Sequence, residues 1–538
     1  MGSALTLSEL VRATGVSRST VQFYTRRGLL PQPAKTESGR CLYSEDHVLV
    51  LRRIGELKAR GWSVAEIKDE LEHVIERANR SDVDLASREY ERIHHVILRS
   101  GIEEFVSRGY DHAHLASIIR NAGVTPYLFY AHFPSKAQLL VECFDEFVIR
   151  NETLVEPRVE RTVDLGERLL YRLTGNLRSR ALAADAQMVV RLEESRKGGD
   201  LRKPVEAAWQ RIIRPVAEEL AALRRVSSSA PIVPDELVVL GLSGAFDATY
   251  MRSIWDDTYG QADLLRAHLW LFLAVQAAMS GEIEMGGRMA RYDGLIREVA
   301  THNAQLPPSF DVQGFEGVRG RILHAAIVEF VTKGYEGAHV SAITQEAGVT
   351  PHVFYAHFPS KARLLAECFN ASVKWNAAIM EPQIAGTADH GERHLRRLTG
   401  SLRMQALGAD VLAFVRVEGM REESDLRGPL EEAWGSVVSR FVRDLASMRS
   451  QPSSSPAVAD ELIAFSLLGA FDATYGRLIW DDAYGLTDVL STNLWLFLAV
   501  QAAMRGEIDL GSRLLRYGDL VEEIAHSELT ITSLFGDS

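Results

Sequence analysis

Cysteine is nearly absent from this chain, with three residues in 538, at positions 41, 143 and 368. Three thiols cannot build a disulfide framework, and Cys41 has no clustered partner at metal-ligand spacing, which argues against a stapled scaffold and a metal sensor. Long apolar runs are missing too. The longest candidate, Leu269 to Met279, falls short of the roughly 18 residues a membrane span needs. The start lacks the basic, apolar, small-residue order of a signal peptide. A cytoplasmic protein with no membrane partner is expected. There is also no nucleophile elbow, no Walker loop and no metal-ligand pair at proper spacing, so catalytic residues, cofactors and metal are expected to be none and the chain is not read as an enzyme.

What the chain has is a second copy of itself. Cys143 and Cys368 lie 225 positions apart, and the same offset holds from about Ile93 to Ala300 without insertion. GVTPYLFYAHFPSKAQLL at Gly123 to Leu140 returns as GVTPHVFYAHFPSKARLL at Gly348 to Leu365, differing at Tyr127/His352, Leu128/Val353 and Gln138/Arg363. GAFDATY returns from Gly469, and WLFLAVQAAM from Trp495. Solenoid units run about 20 to 50 residues and cannot bury a core alone, so each copy is a domain. The division expected is a head at 1–80, a first repeated domain at 81–300 (its own head 88–136, body 137–300), a linker at 301–317 and a second repeated domain at 318–538 (head 318–361, body 362–525, tail 526–538).

The net charge of −12 is unevenly spread: residues 1–80 hold 13 Lys and Arg against 10 Asp and Glu, so the acid lies in the remainder. A less acidic head on an acidic body is compatible with binding DNA. Thr6-Leu7-Ser8-Glu9 has the form of a capping box, Gly15 ends the helix it starts, and Ser17 can cap a second helix through Tyr24. Two short helices across a glycine turn suggest helix-turn-helix.

TGVSRSTVQFYTRRGLLPQP followed by SGRCLYSEDHVLVLRRIGELKARGWSVAEIKDEL resembles the winged helix-turn-helix head of MerR-type regulators over nearly all of residues 5 to 72. The resemblance implies a small β wing, a second helix in the major groove, and phosphate contacts from Arg18, Thr20, Tyr24, Arg40 and Tyr43. Gln22-Phe23-Tyr24 stands where that family usually has Arg-Tyr-Tyr, removing one cation. Val64 to Ala78 can start the long helix through which MerR chains pair, whereas Asp82 and Asp84 argue against its continuation. Homodimerisation through these heads stays open.

Each repeated unit reads as all helix: Ile93 to Ser107, His114 to Asn121, a glycine turn, Pro126 to His132, then Ser135 onward. Pro126 and Pro351 take the first helical position after Thr125 and Thr350, where a fixed φ and a missing donor cost nothing. A-G-V-T-P-x-x-F-Y-A-H-F-P-S-K-A-x-L-L resembles the DNA-binding signature of TetR-type regulators. It implies recognition helices at Thr125 to Phe133 and Thr350 to Phe358, with Tyr130, His132, Tyr355 and His357 at DNA-contacting positions and Lys136 and Lys361 close to phosphate. Tyr127 and His352 would read bases. A helix N-terminus carrying Thr, Tyr, His and a nearby Lys is itself a fair set of partners for phosphate and base edges.

TetR-type proteins pair through their last two long helices, here Leu237 to Asp256 with Leu264 to Ser280 and Leu462 to Asp481 with Val489 to Arg505. The fold class expected is therefore mainly all-α, with a small β wing and two TetR-like domains paired within one chain as a pseudo-dimer. The linker Thr301 to Gly317 extends about 55 to 60 Å, enough to allow this. An imperfect palindrome with half-sites about 34 to 36 Å apart would follow. The resemblance also implies a small-molecule effector, for which Arg172, Arg178, Arg180, Gln187, Trp209, Arg397, Arg403, Gln405, Asp410 and Trp434 are candidate lining residues or surface groups. Two functions remain: a one-component transcriptional regulator binding double-stranded DNA, or a ligand-binding sensor or scaffold whose TetR-like heads no longer read DNA. MerR-type heads commonly activate and TetR-type heads commonly repress, which leaves repressor against activator open.

Overall fold

The computed structural model describes residues 5–35, 41–60, 64–178, 202–226, 231–255, 258–303, 317–405, 427–449, 457–480 and 483–526. It is mainly helical, and divides into two compact units, Met1–Cys143 and Phe144–Ser538.

In the first unit the capping box forms as expected, with Thr6 N donating to Glu9 Oε2 at 2.7 Å and Glu9 N to Thr6 Oγ1 at 3.3 Å. Helix Leu7–Thr14 ends at Gly15, whose φ of 71° is a left-handed cap that glycine adopts without strain. Ser17 caps Arg18–Arg26 through Thr20 N. Ala34–Lys35 pairs antiparallel with Cys41–Leu42 as a minimal wing, and helix Glu45–Ala59 follows. Leu10, Val21, Leu29, Leu30, Leu51 and Ile54 form the core of this head.

The next element is one continuous helix of 49 residues, Val64–His112, about 73 Å long at 1.5 Å per residue. The expected break at Asp82 and Asp84 does not occur: Asp costs only tenths of a kcal/mol in a helix interior, too little to end one held at both ends by packed turns. Residues 80 and 81, where the sequence division falls, lie inside it. Its far end packs with Leu115–Asn121 and Pro126–His132 into a three-helix head, around Phe105, Phe129, Phe133 and Leu139. Gly123, at φ 66°, makes the turn between the two short helices. Cys143 is buried beside Leu98 O, a core thiol as expected.

The second unit holds the remainder of the first copy and all of the second. Gly317–Gly337, Val340–Glu346 and Pro351–His357 repeat the three-helix head, with Gly348 at φ 64° and Phe354 and Phe358 buried. Each body contains a pair of long helices followed by two short ones: Asp235–Trp255 with Gln261–Met279, then Gly286–Ala290 and Asp293–Asn303, and Asp460–Trp480 with Leu486–Met504, then Leu510–Leu515 and Gly518–His526. Asp235–Trp255 and Asp460–Trp480 touch at paired glycines, where a methyl on Gly244 would collide with Gly469 O and Ala473 Cβ, and one on Gly469 with Gly244 O and Ala248 Cβ. Reciprocal bonds surround the contact. Tyr259 OH donates to Glu461 Oε2 at 2.9 Å and Tyr484 OH to Glu236 Oε2 at 2.7 Å. Tyr292 OH donates to Asp389 Oδ1 at 2.7 Å and Tyr517 OH to Asp164 Oδ1 at 2.8 Å.

One described helix, Leu486–Met504, is long and apolar enough to cross a membrane by length and composition, which the sequence reading did not expect of any segment. Most of it is buried inside the protein, and its polar groups are housed there: Asn493 Nδ2 donates to Thr474 Oγ1 and Val489 O, both at 2.8 Å. Its apolarity is that of a core helix with neighbours on every side.

Candidate nucleic-acid interface

The expected contact residues fall into three groups. Those left open to solvent are Arg18 in the N-terminal head, Tyr127 and Tyr130 in the first repeated head, and His352, Tyr355 and His357 in the second. Tyr127, Tyr130 and Tyr355 expose 66%, 52% and 55% of their surface, far more than packing alone would leave for a ring. Each recognition helix is built for this display. Thr125 accepts from Leu128 N at 3.2 Å and Thr350 from Val353 N at 3.3 Å, Pro126 and Pro351 follow, and Phe129 and Phe354 anchor the inner face.

The second group is spent on the fold. Tyr24 and Tyr43 lie in the core of the N-terminal head, Tyr24 one helical turn after buried Val21, with the Lys58 ammonium 5.3 Å from its ring centre. Tyr43 bridges Leu5 through its backbone and meets the His47 ring edge-on, and burial pushes its hydroxyl pKa up, aided by Cys41. Their rings are buried among Leu10, Leu29 and Leu51, in place of the open position expected of phosphate contacts. Thr20 is half-buried, its hydroxyl 2.7 Å from Ser17 Oγ in the cap. His132 is only 6% exposed, stacked under Tyr90 at 4.1 Å. Lys361 Nζ donates to Tyr335 O at 2.8 Å and Ala338 O at 3.2 Å, closing the end of the preceding helix, and sits 4.3 Å from the Tyr335 ring. Lys136 lies 4.4 Å over the Tyr110 ring at the same place in the first copy. Arg40 forms the third group, outside the described residues.

Sequence reasoning passed over Phe23. It is 46% exposed on the outer face of Arg18–Arg26, with the Arg27 guanidinium 5.6 Å above its ring. The spacing Val21, Tyr24 already marked the inner face, leaving Gln22 and Phe23 outside.

The sequence pattern of "MerR HTH family regulatory protein" matches residues 5–74, and that of "Bacterial regulatory proteins, tetR family" matches residues 97–143 and 322–368. The chain carries one MerR-type head and two TetR-type heads. Among curated proteins, a mercuric resistance operon regulatory protein of Bacillus cereus is 37% identical over 71 residues, 13% of this chain and 53% of that protein. An uncharacterized HTH-type transcriptional regulator of Synechocystis is 36% identical over 69 residues, 13% of this chain and 50% of its own. The HTH-type transcriptional regulator CueR of Escherichia coli is 24% identical over 89 residues, 16% of this chain and 65% of its own. The chain thus spans about half the length of the first two.

The body of the first copy holds a partly open cavity of about 120 Å³. Phe144, Phe147, Trp209 and Phe246 form its walls, and Arg172 and His268 also line it. Arg172 donates to Glu219 Oε2 at 2.7 Å and to Glu156 Oε1 at 3.1 Å. Burial alone would lower its pKa, but those two carboxylates raise it, so the guanidinium is fixed as a cation already neutralised. In the second copy Arg397 repeats the arrangement with Asp444 at 2.8 Å and Glu381 at 2.6 Å. Arg172 and Trp209 are thus placed at a cavity, while Arg180, Gln187 and Asp410, and the side chains of Arg178, Arg403 and Gln405, lie outside the described residues. Among the described residues no group of His, Cys, Asp or Glu is disposed to hold a metal ion.

Proposed function

We propose that this chain is a one-component transcriptional regulator that binds double-stranded DNA, that its two TetR-type copies pair with each other within the chain, and that a small molecule in the body biases the heads. The observation that carries DNA binding is the exposure of Tyr127 with Tyr130, and of His352 with Tyr355, on Thr-capped, Pro-started helices whose other faces are buried. Large rings held out on a capped helix suit base edges and phosphate.

Reciprocity supports the intrachain pairing. A two-fold contact requires that residue i meets j wherever j meets i. Gly244 and Gly469 face each other, Tyr259–Glu461 mirrors Tyr484–Glu236, and Tyr292–Asp389 mirrors Tyr517–Asp164. The cavity beside Arg172 supports the effector, because a ligand that fits one spacing of the heads better than another shifts their equilibrium.

A second reading, a sensor or scaffold whose TetR-type heads do not read DNA, is favoured by the employment of His132, Lys136 and Lys361 within the fold. Selection of bound sequences from random duplex DNA, at stated salt, with the intact chain and with Tyr130→Ala/Tyr355→Ala, decides between them. An imperfect palindrome that the double variant loses supports the regulator. An unchanged motif assigns DNA reading to the MerR-type head alone.

A further inference from the structure

We propose that the cavity of the first copy takes one small, uncharged, aromatic molecule bearing a hydroxyl group, and that the second copy offers no equivalent site, so that each chain holds one. This rests on the effector reading above and gives the effector its chemistry.

The shape argument comes first. Four aromatic side chains, Phe144, Phe147, Trp209 and Phe246, wall a space of about 120 Å³, and stacked or edge-on packing against such rings favours a flat aromatic body. The polar argument selects its substituent. Trp209 Nε1, Asn151 Oδ1 and His268 Nδ1 are buried without a hydrogen-bond partner, and all three residues line this cavity. Buried polar atoms are normally satisfied, and each one left unpaired costs about 1–3 kcal/mol. Trp209 can only donate and the Asn151 carbonyl oxygen only accept. A hydroxyl is the smallest group that does both, receiving from the indole while donating to the amide or the imidazole.

Charge decides against an ionised ligand. The guanidinium of Arg172 is spent on Glu219 and Glu156, and that of Arg211 lies 3.5 Å from Asp145. His268 is held neutral, burial lowering its pKa to about 4. A carboxylate entering here would leave water and gain no free cation. Glu152 and Asp247 also line the space: Glu152 is exposed, where pairing with a cation is worth little, and Asp247 is half-buried and already engaged within the protein.

The repeat supplies the comparison. At the position of His268 the second copy has Asn493, whose amide nitrogen is consumed by Thr474 Oγ1 and Val489 O. At the position of Leu169 it has His394, whose ring stacks on Phe497 at 4.3 Å with 10° between planes. Ser243 is replaced by Leu468, which is buried. Trp434 Nε1 and Asn376 Oδ1 stay unpartnered, as Trp209 Nε1 and Asn151 Oδ1 do, so the second copy differs in the imidazole and in the space that Leu468 and His394 fill, and exchanging the two tryptophans in turn separates the sites.

Calorimetric titration of the intact chain with 4-ethylphenol, ethylbenzene and 4-ethylbenzoate tests this. The expected result is 4-ethylphenol at one per chain, about tenfold tighter than either analogue, as loss of one hydrogen bond gives. Trp209→Phe should bring 4-ethylphenol down to the level of ethylbenzene, and Trp434→Phe should leave it unchanged. Two equivalent sites, tightest binding by 4-ethylbenzoate, equal loss in both variants, or binding of none of the three would overturn the proposal. Operator affinity measured with and without 4-ethylphenol keeps the underlying reading separate. Binding at one per chain with no change in operator affinity leaves this inference standing and overturns the effector reading. An operator shift caused by 4-ethylbenzoate without binding of 4-ethylphenol does the reverse.

Discussion

Tyr90 lies over His132 with ring centres 4.1 Å apart and 27° between planes, so that a residue of the long helix covers one end of the first recognition helix. The equivalent imidazole in the second copy, His357, is exposed. Two heads of nearly identical sequence therefore present different surfaces. His357→Ala is expected to weaken operator binding by about tenfold to a hundredfold, the worth of one hydrogen bond to a charged group, and His132→Ala by less than twofold. Fluorescence anisotropy at fixed salt measures both. Equal losses would mean that Tyr90 swings away on DNA.

Lys361 is expected to be a structural lysine. Because its ammonium already closes a helix end on Tyr335 O and Ala338 O, Lys361→Met should leave the salt slope of DNA binding unchanged, whereas loss of a phosphate contact lowers it by about one unit. The same substitution should cost about 1 kcal/mol of stability by urea titration.

The glycine contact has no room to give. Gly244→Ala or Gly469→Ala places a methyl against backbone carbonyl oxygen, and a loss of about 1–3 kcal/mol is expected from overpacking, seen as a lower urea midpoint. Light scattering at low concentration bears on the pairing itself: a mass of one chain is expected for a chain lacking residues 1–80, and obligate dimers of that shortened chain would show that the copies pair between chains instead.

Tyr292 and Tyr517 make matching bonds to Asp389 and Asp164, and burial followed by the carboxylate raises both hydroxyl pKa values. Tyr→Phe at either position should cost about 1 kcal/mol, and the double variant the sum, since the two sites share no partner. A double variant much worse than that sum would reveal that the two ends break together.

Acid should destabilise the fold through three buried imidazoles. Burial lowers His47 and His268 to about 4 and His394 to about 3, Arg397 adding to the last. A depressed folded pKa means that the unfolded chain binds the proton first. Stability is full above about 6.5 and falls as pH drops toward 4, by up to roughly 1.4 kcal/mol per pH unit for each histidine. Urea titrations at pH 7.5, 6 and 5 should show the midpoint retreating, and His394→Leu should flatten part of that slope.

Much of this was legible in the chain because its signals are local. Thr6 with Glu9, Ser17, Gly123, and Thr125 with Pro126 need only their neighbours to act, and each does in the structure what its residue type allows. The helix through Asp82 was missed because packing at its two ends outweighs weak intrinsic preferences between them. Lys136 and Lys361 looked free because the carbonyls and rings they meet lie about 26 residues earlier in the chain. Tyr24 could have been placed from its spacing to Val21, and was instead assigned by likeness to a family that has tyrosine at the same position. Of the cavity, Arg172 and Trp209 were named as candidate lining residues, whereas Asn151 and His268 were not, since they join Trp209 only when three helices pack.

The long helix Val64–His112 has one further consequence, for distance along DNA. A continuous helix is a ruler and a dial at once: every residue added or removed between its ends shifts what it carries by about 1.5 Å and turns it by about 100°. Removing seven residues from its middle would shorten the arm by two turns and return the MerR-type head to nearly the same bearing. Removing five would aim it the opposite way. If both of its heads touch one duplex, operators will tolerate changes in the gap between their two elements only in steps that restore this bearing.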